Sequence, residues 1–143
     1  MKRVVKRKSA VEETGPRSVM RGLFRSFGKL AEQAGGGRPL LRGLRVAQDP
    51  KADRLVAVHG ATRVEFLLVH SADTEPPYAE IECRRVDSAG ATEQNTIGCF
   101  RFNDTGVVSQ STVPELVGER IDQESGAWSV VAAVIWDAMQ GPA

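Results

Sequence analysis

Between residues 40 and 111 the apolar residues recur at every second position, in blocks separated by turns too short for a crossover. This pattern constrains the fold most. Parallel neighbours need a connection of a dozen or more residues, whereas antiparallel strands are joined by a tight turn. Residues 54–59 and 63–70 flank Gly60-Ala61, a two-residue turn with glycine first. Residues 40–47 precede them across Asp49-Pro50-Lys51. Residues 78–87, 97–102 and 107–111 follow, divided by the polar stretches 73–77, 88–95 and 103–106. The pattern predicts an antiparallel meander of five to six strands.

The period changes to 3.6 on both sides of this block. Val19, Met20, Leu23, Phe24, Phe27, Leu30, Ala31 and Ala34 share one stripe of a helix that Ser18 caps and Gly35-Gly36-Gly37 ends. Near the other end, Thr112 and Glu115 have capping-box spacing around Pro114, which predicts a helix of about ten residues ending near Glu124. Residues 127–140 form a second apolar segment carrying Trp128, Val131, Ile135, Trp136 and Met139, read as helical, with a strand as the alternative that its β-branched content leaves open. Trp128, Ile135 and Met139 are expected in the core. The predicted class is α+β: an N-terminal amphipathic helix, the meander, and C-terminal helices packed on the sheet. Residues 1–37 are read as a basic arm, the helix and a glycine-rich hinge; residues 38–143 form a single α+β domain.

At 143 residues and 41% hydrophobic content, the chain has enough apolar material for one core without metal or disulfide staples. Its 26% charged fraction is that of ordinary globular domains. No apolar run reaches the ~18 residues of a membrane span, and no signal-peptide block follows the basic start. The expected location is therefore the cytoplasm.

The net charge of +1 conceals a segregation. Residues 1–45 hold 12 of the 19 lysines and arginines and only three acids, a balance of +9. The other 7 bases share residues 46–143 with 15 acids, a balance of −8. Arg17, Arg21, Arg25 and Lys29 recur every four residues, a cationic ridge beside the apolar stripe. Like charges at that spacing repel in a free helix by a few tenths of a kcal/mol per pair, which points to an anionic partner. Lys2, Arg3, Lys6, Arg7 and Lys8 precede this ridge and Arg38 and Arg42 follow it. These eleven residues are the candidate contacts to nucleic acid or an anionic membrane surface, and the acidic body is expected to contact protein, a homo-oligomer included. Small bacterial, phage and viral accessory or structural proteins with basic arms share this layout as an analogy of design. The competing possibility is that the arm folds against its own acidic body.

Chemistry has little purchase elsewhere. Dinucleotide, Walker, nucleophile-elbow and metalloprotease motifs are absent, and no cofactor is expected. His59 and His70 fall about 26 Å apart along one hairpin at ~3.3 Å per residue, too far to share a metal. Glu80 and Glu82 share a strand face about 6–7 Å apart, with Arg84 beside them. With Tyr78 they define the alternative reading, a small enzyme with its site on the sheet; a partner-binding adaptor without nucleic acid is the other. A symmetric hairpin about Ala91 places Cys83 directly opposite Cys99 on one face, as two small buried side chains.

Overall fold

A computed structural model describes residues 16–35, 43–72, 76–86 and 92–140. Six strands form one sheet in sequence order: β1 (Arg45–Asp49), β2 (Arg54–His59), β3 (Thr62–Ala72), β4 (Tyr78–Val86), β5 (Thr92–Asn103) and β6 (Val108–Ser111). Every neighbouring pair is antiparallel, as a meander of short connections requires. At the β2–β3 turn His59 pairs with Thr62, and Gly60 adopts φ +60°, the first central position of a II′-type hairpin.

Among the described residues two helices, α1 (Pro16–Gly35) and α2 (Glu124–Met139), pack against each other and against one face of this sheet. Alternation sorts the strands cleanly. Leu55, Ala57, Val64, Phe66, Ala79, Ile81, Cys83, Phe100 and Phe102 are buried beneath the helices. The residues between them face the uncovered side. From α1, Met20, Phe24, Phe27 and Ala31 enter the same core, at steps of four, three and four residues. Phe27 anchors the joint, with ring centroids 6.1 Å from Phe24 and Phe66 and 6.4 Å from Phe100.

The apolar stripe of α1 is narrower than its periodicity suggests, since Val19 is exposed and Leu23 and Leu30 are half-buried. The helix opens on Pro16, a residue suited to a first turn, so Ser18 lies inside that turn and does not cap it. β1 begins at Arg45, later than the alternation from residue 40 suggests, and residues 36–42 lie outside the described residues.

The capping-box expectation is corrected. Residues 112–123 hold no α-helix, only a 3-10 turn over Pro114–Leu116 with Val113 at its cap. Thr112 does not cap it. Its hydroxyl accepts from the Cys99 N–H at 3.0 Å and donates to the Cys99 carbonyl at 3.2 Å, clamping the chain to β5. Residues 118–121 then run back along β6. Gly118 N–H donates to the Val108 carbonyl, Val108 N–H to Glu119, and Ile121 N–H to Gly106, each at 2.8–2.9 Å.

On α2, Trp128 and Ile135 are buried as expected, but Met139 is 42% exposed and Trp136 56%. Arg85 reaches up from β4 to donate to the Ala138 carbonyl, satisfying one of the free acceptors at the helix end. Because Ile135 is fully buried, Ile135→Ala should cost about 2–5 kcal/mol in a urea titration. A loss below about half a kcal/mol would show that this face of α2 does not pack as described.

Candidate functional site

The open face of the sheet carries the carboxylates that the sequence singles out, each held by its own arginine. Glu80 Oε1 accepts from Arg101 Nε at 2.9 Å, and that guanidinium lies 4.4 Å above the Tyr78 ring. Glu82 Oε1 lies 2.9 Å from Arg84 Nη2 and also accepts from the Thr96 hydroxyl. The Thr96 hydroxyl, with Arg84 adding to it, holds the Glu82 carboxyl below its usual range against partial burial. Glu65, buried on the same face, has Arg54 Nε 2.9 Å away. The structure thus brings Tyr78, Glu80 and Glu82 onto one surface, the two carboxylates ion-paired and the Tyr78 ring beneath the Arg101 guanidinium. His70, opposite Glu80, adds a ring 5.9 Å from Tyr78.

The cysteine pairing is also corrected. Cys83 lies opposite Gly98, and Cys99 opposite Glu82, so the two thiols point to opposite faces of the sheet. Full burial pushes the Cys83 thiol up. Partial burial, then the Glu80 and Glu82 carboxylates, do the same to Cys99. Both are held as thiols, which are poor nucleophiles and metal ligands. Among the described residues no group of three or more histidine, cysteine or carboxylate side chains converges as a metal site. A shallow cavity of about 310 Å³ lies at the start of α2, lined by Arg120, Gln123, Ser125 and Ser129 among others and by none of Glu65, Glu80 and Glu82.

Cationic groups make the other surface. Arg21, Arg25 and Lys29 all lie exposed on α1. Arg21 Nε is 3.2 Å from Asp53 Oδ2 in a half-exposed pair, a type worth ~0–1 kcal/mol. Arg25 and Lys29 make no ion pair among the described residues. Arg17 falls in the first turn of α1, its side chain outside the described set. Lys2, Arg3, Lys6, Arg7, Lys8, Arg38 and Arg42 also lie outside the described residues.

Three further cations were not singled out by periodicity. Arg45 on β1, Lys51 in the turn after it and Arg63 on β3 also lack an ion pair among the described residues. Each stands alone in a strand or turn, where no repeating pattern marks it. By contrast residues 104–140 hold six acids and one base, Arg120, which is itself paired with Asp122 at 2.9 Å. The chain matches no family model, no curated protein and no solved structure. No described helix is long and apolar enough to cross a membrane.

Proposed function

We propose that the protein is a non-enzymatic nucleic-acid-binding accessory protein: the basic N-terminal segment and α1 contact phosphates, and the acidic body contacts protein. One observation carries this reading. The apolar stripe of α1 is buried in the core through Met20, Phe24, Phe27 and Ala31, while Arg21, Arg25 and Lys29 remain in solvent with a single ion pair among them. A helix that lies on a bilayer inserts its apolar face between lipids. Here that face is occupied, so phosphates on a nucleic acid are the better match than a lipid surface. The enzyme reading draws less support, because Glu80 and Glu82 are each neutralised by a neighbour. Protein contact at the acidic end has exposed Val117, Trp136 and Met139 to use.

Changing Arg17, Arg21, Arg25 and Lys29 together to Gln tests the proposal. Helix propensities of these residues are close, so the melting temperature should move little. Binding to a labelled oligonucleotide should weaken, with the log–log salt slope flattening by up to about 3 units if all four meet phosphates of a single strand. No retention of the wild type at low salt would sink the proposal. Unfolding of the variant would instead favour pairing of the ridge with the acidic body.

A further inference from the structure

Among the described residues the cations divide into those that have a carboxylate or backbone partner and those that have none. Arg21, Arg54, Arg84, Arg101 and Arg120 are paired with carboxylates, and Arg85 is bonded to the end of α2. The five with neither an ion pair nor such a bond, Arg25, Lys29, Arg45, Lys51 and Arg63, all belong to α1, β1, the turn after β1 and the adjoining part of β3. Four of them belong to the edge strand β1, the turn after it or the helix packed on it, since β1 pairs only with β2, and Arg63 stands two strands inward.

The geometry at that edge connects the helix ridge to the open face. Arg45 pairs with Val58, and Val58 with Arg63, so the two arginines stand in one row across β1, β2 and β3. Two strand spacings separate them, about 10 Å. Val46 and Val64, their neighbours in sequence, are turned toward the core, so both guanidinium groups project from the uncovered side. Helix α1 lies over β1 on the other side. Gln48 Nε2 donates to the Arg25 carbonyl at 3.0 Å, and Gly28 sits against the same glutamine side chain. Arg21 meets Asp53 and Gly28 meets Gln48, an order that runs α1 antiparallel to β1. The C-terminal half of the ridge, with Lys29, therefore points toward the Arg45 end of β1.

We infer that the phosphate-contacting surface continues from α1 around the β1 edge onto the open face of the sheet, where Arg45 and Arg63 bind the phosphodiester backbone of a single-stranded nucleic acid. This inference rests on the function proposed above. A path that bends around a strand edge suits a flexible polyanion, whereas a planar bilayer meets the cations of one side only. Open-face arginines already committed to Glu65, Glu80 and Glu82 are outside the path, which makes the contact local to one end of the sheet.

The test compares the full chain with the double variant Arg45→Gln/Arg63→Gln and with Arg120→Gln, using a labelled single-stranded oligonucleotide titrated at several salt concentrations. Two lost phosphate contacts flatten the log–log slope by about 1.4 units, at roughly 0.7 per contact on a single strand. Arg120→Gln, at the acidic end, should leave the slope unchanged. If the double variant melts early, Arg45→Gln alone, at an exposed position, must flatten the slope by about half as much. A wild-type slope in these variants, alongside a flattened slope in the α1 quadruple variant, overturns the inference and leaves the proposed function standing. A wild-type chain with no salt-dependent oligonucleotide binding overturns both.

Discussion

Phe27→Ala should cost the fold about 3–5 kcal/mol, the usual range for deleting a buried phenylalanine from a core that relaxes only partly. Phe27 is fully buried and makes the ring contacts of α1 to the sheet. Its ring lies edge-on to Phe66 and Phe100 at interplanar angles of 73° and 84°, and tilted by 50° to Phe24. Deleting it removes the common member of three aromatic contacts, each worth ~0.5–1.5 kcal/mol beyond area burial. Urea unfolding followed by Trp128 fluorescence reads the loss, since that indole is buried on α2. Val19→Ala, at a 44% exposed position on the same helix, is the control and should change stability by less than about half a kcal/mol. A Phe27→Ala loss below about 1 kcal/mol would mean that α1 does not dock through this ring. The result bears on function, because an undocked α1 would free its apolar stripe for lipid.

Gly126→Ala should destabilise by about 2–4 kcal/mol, although alanine is the better helix former by about 1 kcal/mol. A Cβ at Gly126 would fall 1.9 Å from the Arg120 carbonyl oxygen and 2.7 Å from its carbon. Those are backbone atoms, and they cannot swing aside as a side chain does. Arg120 bridges to Val107 while Ile121 N–H donates to the Gly106 carbonyl at 2.8 Å, so the segment under α2 is pinned to the start of β6. Accommodating one methyl group means breaking that ladder or lifting the first turn of α2. Gly22 gives the contrast: nothing lies within 4 Å of its missing Cβ, and Gly22→Ala should raise stability by about 0.5–1 kcal/mol. Thermal unfolding of the pair should therefore shift in opposite directions. Equal shifts would remove the argument from close approach.

The difference between these two glycines shows how far the residues alone can be read. Both lie in helices. In one-letter terms they are alike, and only the backbone passing beneath α2 distinguishes them. Thr112 makes the same point. Its spacing to Glu115 is that of a capping box, yet a carbonyl and an N–H of Cys99 claim its hydroxyl first. The β4–β5 pairing departs from a symmetric count because the ladder is irregular between Cys83 and Arg84 and again between Arg84 and Val86. Each irregularity lets residues accumulate on one strand, and nothing in the composition of the loop announces it.

What the residues did settle is local in origin. Alternation at two positions reflects the pleat of a strand, and recurrence at three and four reflects the turn of a helix, so both periods are written within a few neighbours of each residue. The meander and α1 followed from them, as did the placement of Glu80 and Glu82 on one face. The division of charge between the first 45 residues and the rest is likewise plain in the chain. Which charges remain uncompensated is a different kind of fact. Arg21 loses part of its freedom to Asp53, 32 residues away, while Arg45 and Arg63, 18 residues apart, come to stand in one row. Electrostatic pairing falls off with distance through space and is indifferent to separation along the chain. The basic segment is thus a property of sequence, and its extension around the β1 edge is a property of the fold.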